Sequence, residues 1–522
     1  MKIESKFYHL GHVVLKCFRT RPDSICQIDA ATGESETNAS VLSRSIQLAN
    51  SLRALGLVPG DVMALGGKKH LDLHIPYYAA LFNGLPLVGV DCLFNNAEIE
   101  SLFALTLPKI AFCDPEDYVN YVRAAQNLGL DTKIVTFGDG PCSMKALIEE
   151  YPSETKEEDF QLPEFDLNKV YIWLICTSGS TGTVKVAAFK HATWLRKALH
   201  YVQLIKPQED VTQTAINVAP IQWVSGIFNP VGMPILHQTM VQTSVNLTVE
   251  HMIYIINKYR PIQVMSGPAI IHHVLNHEKP CDLSCFESII LGGAKAPKNL
   301  VVELRSRLRK GAIAVEMHGQ TETMGPVLFP RPDTPVDSCG SPTSIYQVQI
   351  VDPDSETIIT ESNVPGELWV KGDIFAEYYN SPEETAMAFS KDGWFKTGDI
   401  FYRDERDNYY FCSRIKMLIK YQCYHVMPGE LEDVIRLHPA VFDVAVTGAP
   451  HPVDGEHPVA FVVRRHGCTV SAQEIKALVA GKLSEKKQLR GGVVFLQELP
   501  MTSNGKISLK KLKSILETVV RE

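Results

Sequence analysis

The chain has 522 residues, 45% of them hydrophobic, and a formal net charge of −8. That length exceeds what one hydrophobic core organises, so two or more domains are expected. The balance of 51 Lys and Arg against 59 Asp and Glu lacks the basic excess that nucleic-acid binding needs, and no run of 18 or more apolar residues offers a membrane span.

Apolar residues at helical spacing over 41–57 predict a helix. Short apolar runs at 62–65 and 86–90 predict strands, with a helix over 74–82 between them, and strands at 109–113 and 133–137 repeat the pattern. This βαβ rhythm predicts a large N-terminal α/β domain with stacked, largely parallel sheets. The run 170–176 predicts a buried strand. Strands at 288–291 and 312–316 end in Gly292-Gly293-Ala294 and His318-Gly319-Gln320-Thr321-Glu322, polar loops of the kind that bind ligands at the carboxyl ends of a sheet. Pro330, Pro332, Pro335 and Pro342 mark irregular chain, after which strands at 348–351 and 367–370 predict a smaller β layer. Past Lys416, helices over 429–437, 472–483 and 509–519 and strands at 443–447, 459–463 and 493–495 predict a small α+β domain. The expected division is 1–413 and 414–522.

The twelve cysteines include no CxxC pair. Cys281 and Cys285, with His277 before them, lack an evident fourth ligand, so thiols of a reducing compartment are expected rather than structural zinc. Residues 1–18 carry no cleavable apolar core and residues 519–522 are not a Ser-Lys-Leu address, so the expected location is cytosolic.

The most informative stretch is Thr177-Ser178-Gly179-Ser180-Thr181-Gly182-Thr183-Val184-Lys185. Such a loop can point several N–H groups and hydroxyls at one anion, and its lysine adds a compact charge, which suits a polyphosphate. A solvated Ser/Gly connection is the competing reading; the abrupt start after a strand and the single terminal cation weigh against it. The spacing is not that of a P-loop. Glu322 near such a loop implies an intervening cation, and Mg²⁺ commonly bridges a carboxylate to nucleotide phosphates. Alternatively, Thr321 caps a helix with Glu322 in its first turn. Asp399 could accept from ribose hydroxyls or be a turn aspartate after Gly398. Lys506, projected by Gly505, could stabilise charge developing at phosphorus or be one more surface lysine. Trp223 and its apolar neighbours in 220–236 could line an acyl or aryl pocket or pack a core. Trp173 and Trp194 read as packing.

Taken in order, the 177–185 loop, Gly292-Gly293-Ala294, Gly319-Gln320-Thr321-Glu322, Gly366-Glu367-Leu368, Gly398-Asp399, Arg414-Ile415-Lys416 and Asn504-Gly505-Lys506 resemble the acyl-adenylating superfamily. That group holds acyl-CoA synthetases, aryl-CoA ligases including 4-coumarate-CoA ligases, adenylation domains and beetle luciferases. Leu418-Ile419-Lys420-Tyr421, His438-Pro439 and Leu489-Arg490-Gly491-Gly492-Val493-Val494-Phe495 are similar to the insect luciferase-like branch. The resemblance implies that ATP and a carboxylic acid give an acyl-adenylate and pyrophosphate, after which coenzyme A gives a thioester and AMP. It implies that the 177–185 loop with Lys185 holds the β- and γ-phosphates, and that Gly292, Gly293 and Ala294 border the adenine and an acyl pocket shared with Trp223 and Val224. Thr321 is implied to meet the α-phosphate, Glu322 to hold Mg²⁺, and Asp399, with Arg414 close by, to bind the ribose. Lys506 is implied to bridge the carboxylate and α-phosphate, and a mobile C-terminal domain then to exchange it for a thiol channel near Lys420.

The chain departs from the family pattern at Val186, His318, Ser413 and Cys423, and at Trp223-Val224-Ser225. Cys423 stands where glycine is usual beside the coenzyme A channel, which predicts a narrower tunnel. The expected function is an ATP-dependent carboxylate–CoA ligase for medium- or long-chain fatty acids. The alternatives are an aryl-acid ligase and a divergent paralogue that only adenylates or only binds its ligands. A peroxisomal location would also fit the resemblance.

Overall fold

The computed structural model describes residues 7–153, 155–177, 184–204, 213–331, 333–422, 424–502, 506–519 and 521–522. Two seven-stranded sheets dominate the N-terminal part. One runs Ile313–Glu316, Ser288–Leu291, Gln263–Ser266, Gln213–Ile216, Gln238–Gln242, Ile25–Asp29, Ser35–Thr37, parallel except for its last pair. The other runs Glu377–Tyr378, Lys185–Lys190, Tyr171–Thr177, Leu87–Val90, Met63–Gly66, Ile110–Cys113, Lys133–Thr136. Its strands from Tyr171–Thr177 to Lys133–Thr136 are parallel, as the βαβ rhythm predicts. Helices such as Asn38–Ala54, His74–Asn83 and Asn96–Thr106 cover the sheets, so strands like Met63–Gly66 and Leu87–Val90 are buried along their whole length.

Lys185–Lys190 departs from the parallel pattern. It pairs antiparallel with Tyr171–Thr177, because the few residues between them are too short for a crossover. Trp173 and Trp194 are fully buried with their rings edge to face at 4.9 Å, which is the packing role expected of them.

A four-stranded antiparallel layer follows, ordered Tyr346–Val351, Gly366–Gly372, Phe395–Arg403, Tyr409–Arg414. The small C-terminal domain has its own sheet. Tyr424–Val426, Ile419–Tyr421, Gly455–Arg464 and Val441–His451 are antiparallel neighbours, and Gly492–Leu496 joins Gly455–Arg464 in parallel. Helices Ala472–Lys482 and Leu509–Leu516 lie within their predicted segments, and Pro428–Ile435 begins one residue before its own. Leu431, Ile435, Val444, Val462 and Ile475 form part of a core separate from the N-terminal ones.

Two of the contacts between this domain and the larger one are an ion pair and a ring pair. Lys295 Nζ lies 2.7 Å from Asp433 Oδ2, and the His272 ring is 4.9 Å from that of Phe442. No described helix is long and apolar enough to cross a membrane.

Candidate active site

Asp399 and Arg414 face each other because their strands pair with these two residues in register. Gly398 sits at a bulge against Gly366–Gly372, with a φ of +70° that only glycine takes freely, and its N–H donates to Glu367 Oε1 at 2.8 Å. Asp399 therefore lies inside a strand and is 0% exposed, which corrects its reading as a turn aspartate. Arg414 Nε stands 2.8 Å from Oδ1 as an ion pair, but off the hydrogen-bond axis. That buried oxygen has no hydrogen-bond donor among the described residues. Gln320 Nε2 approaches Oδ2 at 3.5 Å and His318 Nε2 at 3.4 Å. Burial pushes the Asp399 carboxyl up to about 6, against the pull of Arg414 and Lys506. His318 packs against Phe401 and Phe411, and burial with the Arg414 charge pushes it down to about 3, so its imidazole is neutral near pH 7.

Glu322 lies in one 3₁₀ turn, Thr321–Thr323. Gln320 rather than Thr321 is the cap residue, its N–H donating to Thr323 Oγ1 at 3.1 Å. This corrects the alternative that made Thr321 a helix cap. Tyr378 donates its hydroxyl to Glu322 Oε1 at 2.7 Å. Burial raises the Glu322 pKa, and no ion pair balances this carboxylate among the described residues. A buried carboxylate without an ion-pair partner is a fit place for a cation.

The same turn is tied to Lys197, which pattern reading missed. The Lys197 ammonium, 1% exposed, donates to the Thr323 carbonyl and to the Tyr346 hydroxyl, the latter at 2.7 Å. Tyr346 in turn donates to that carbonyl at 2.7 Å. Burial drives Lys197 down to about 7. The one available signal was its position three residues after the buried Trp194 on the same helix.

Thr177 and Lys185 are register partners at the ends of their strands. Ser178, Gly179, Ser180, Thr181 and Gly182, between them, lie outside the described residues, as does Cys423. Lys185 ion-pairs with Glu384 and its ammonium stands 5.1 Å over the Tyr378 ring, the same tyrosine that holds Glu322.

Lys506 arrives from the C-terminal domain. A methyl group added at Gly293 would stand 3.7 Å from Lys506 Cε. The residue is exposed, yet protein crowding around its ammonium lowers its pKa. Arg414 adds to the lowering, while Asp399 and Glu322 draw the pKa back. Gly293 and Ala294 are exposed and Gly292 is half-buried. Residues from four distant segments thus converge on Lys506 to form the candidate site: Gly293, Glu322, the Asp399–Arg414 pair and Lys506 itself.

Two predicted groups stand apart. Lys420 is exposed on the Ile419–Tyr421 strand with its N–H donating to Glu456, and no hydrogen bond or ion pair links it to the cleft among the described residues. Trp223 and Val224, both half-buried, open the helix Val224–Ile235. The Trp223 indole N–H is buried without a hydrogen-bond partner among the described residues.

The model of the AMP-binding enzyme family matches residues 16–379, and that of the AMP-binding enzyme C-terminal domain matches residues 430–506. The chain belongs to the AMP-binding enzyme family. It lies within the superfamily of AMP-forming acyl- and aryl-CoA ligases. It is 29% identical over 516 residues to luciferin 4-monooxygenase of Photinus pyralis, covering 97% of this chain and 93% of the relative. It is 27% identical over 517 residues to 4-coumarate-CoA ligase 2 of Oryza sativa subsp. japonica, covering 95% and 90%. The ATP-bound structure of MatB from Rhodopseudomonas palustris superposes with a TM-score of 0.86 at 23% identity, covering 98% of this chain and 99% of that one, a likeness of fold.

Proposed function

We propose that this AMP-binding enzyme activates a carboxylic acid with ATP and passes the acyl group to coenzyme A. The observation that carries the reading is the meeting of Lys506 with Gly293, Glu322 and the Asp399–Arg414 pair. In the first step a carboxylate oxygen attacks the α-phosphorus, and the bond to pyrophosphate breaks. In the second, the coenzyme A sulfur attacks the acyl carbon, the bond to AMP breaks, and the thiol proton is released. Lys506 serves the first step by offsetting charge between the carboxylate and the α-phosphate, which Thr321 also contacts. The Asp399 oxygen that faces Arg414 accepts from a ribose hydroxyl. Thr177 to Lys185 takes the β- and γ-phosphates. Glu322 would hold Mg²⁺, which when bound offsets phosphate charge. The division at 413/414 lets the smaller domain turn and bring the Lys420 face forward for the thiol.

Glu384 now occupies the cation assigned to the phosphates. Glu384→Gln is therefore expected to lower KM for ATP about fivefold, the worth of one partly exposed ion pair at about 1 kcal/mol. Steady-state kinetics with varied ATP checks it.

The apolar helix behind Trp223 supports a medium- or long-chain fatty acid as substrate. The orphaned Trp223 N–H favours a second reading, an aryl acid carrying a polar ring substituent. Pyrophosphate release over a panel of saturated and aryl acids, with acyl-CoA detected by mass spectrometry, decides between them. Activity on decanoate or palmitate above that on hydroxycinnamates supports the fatty acid. Pyrophosphate without thioester would leave an enzyme that only adenylates, and neither product would leave a binding protein.

A further inference from the structure

Away from the cleft, one cluster on the C-terminal domain has chemistry that the reaction does not use. His451 ends the strand Val441–His451, Asp454 lies in the turn that follows, and His457 lies early on the return strand. One ligand atom from each lies within 4.8 Å of the other two. Asp454 Oδ2 is 2.8 Å from His457 Nε2 and 3.4 Å from His451 Nδ1. The two imidazoles stack at 3.9 Å with 16° between their planes, so both rings present edges to the same carboxylate. We propose that His451, Asp454 and His457 bind a divalent transition-metal ion, Zn²⁺ being the ion of matching preference, with solvent completing the coordination.

Two imidazoles and one carboxylate are a set that Zn²⁺ accepts in three positions of a tetrahedron, leaving the fourth to water. Mg²⁺ and Ca²⁺ prefer all-oxygen sites, so the pair of histidines selects against them. All three residues are half-buried, neither sealed from an ion nor loose in solvent. The carboxylate is already oriented, because Gln422 Nε2 donates to Asp454 Oδ1 at 3.0 Å and the Gln422 N–H donates to the Asp454 carbonyl at 2.7 Å. An outer partner of this kind fixes a ligand before the ion arrives. The turn is also clamped from below. Gly455 has φ +84°, and a methyl group there would lie 2.6 Å from the Lys420 carbonyl oxygen. The Asp454 N–H, which donates to His451 Nδ1 at 3.1 Å, yields that bond if the ion takes this nitrogen. Lys486 is the nearby cation, and its ammonium is held on Gln422 Oε1 at 3.0 Å rather than on Asp454. The bound ion would pin the turn to the Ile419–Tyr421 hairpin.

Metal-stripped full-length protein titrated with Zn²⁺ by calorimetry, with Co²⁺ absorption in parallel, tests the site. The expected result is one saturable Zn²⁺ per chain and a Co²⁺ spectrum of visible d–d bands without the near-ultraviolet thiolate band. The double variant His451→Gln/His457→Gln should lose both signals, and Asp454→Asn should weaken binding with its fold retained by circular dichroism. Gln422→Ala, which touches no ion, should weaken Zn²⁺ by about tenfold. Addition of Mg²⁺ should not compete. A thiolate band, binding that survives the double histidine variant, or no saturable binding would each overturn the proposal.

Discussion

Lys506→Ala is expected to slow acyl-adenylate formation by about 100- to 1,000-fold, the usual cost of deleting one donor aimed at developing charge. The reason is position. Lys506 Cε lies beside Gly293 at the cleft, and its ammonium feels Arg414, Asp399 and Glu322 together. The fold should survive, because the backbone ties of this residue, its N–H to Thr502 Oγ1 at 3.2 Å and its carbonyl to the Thr502 N–H at 2.7 Å, do not involve the side chain. Pyrophosphate release should fall while the melting temperature stays within a degree or two of the parent. Under the proposed role of the lysine in the first step alone, thioester formation from a synthetic acyl-adenylate should persist. Equal loss of both half-reactions would count against that assignment.

Asp399→Asn is expected to raise KM for ATP by about 100-fold, about 2.7 kcal/mol, through loss of a charged, fully buried acceptor. Acidity should imitate the variant. The Asp399 carboxyl titrates near about 6 before nucleotide binds, facing Arg414, Lys506, Gln320 and the neutral His318. Protonation below that point removes the negative oxygen, so kcat/KM for ATP should fall with unit slope as pH drops through 6. Stability should move the other way. A carboxyl whose folded pKa lies above its ordinary 3.8 costs the fold increasingly as pH rises from 3.8 to about 6, and fully above it. At full burial that cost is about 3 kcal/mol. Melting curves of Asp399→Asn should therefore gain on the parent between pH 4 and pH 7. A constant offset across that range would refute the assignment of the proton.

The sequence made most of this arrangement legible, and the reasons differ by residue. Strand and helix positions came through because short apolar runs and helical apolar spacing are local, as at 62–65 and 41–57, against Met63–Gly66 and Asn38–Ala54 in the structure. Glu322, Asp399 and Lys506 were each ambiguous alone, and their order along the chain is what singled them out. What pattern reading could not supply was register. The opposition of Asp399 and Arg414 depends on a register shift between Ile400 and Phe401 in the pairing of their strands, which no local rule fixes. Lys197 was invisible because a lysine on a helix is read as solvated unless the sheet that covers it is known. The His451-Asp454-His457 spacing stands in plain view in the sequence, but it brings ligands together only because a hairpin folds back there.

The Thr323 carbonyl has a broader consequence. It receives hydrogen bonds from a helix of the large domain and from the first strand of the four-stranded layer, at Lys197 and Tyr346. A single atom therefore registers whether those two parts of the molecule are seated. A substitution at Tyr346 that passes every assay of solubility and melting could still silence the enzyme, its damage appearing as a chemical defect in a protein that looks sound.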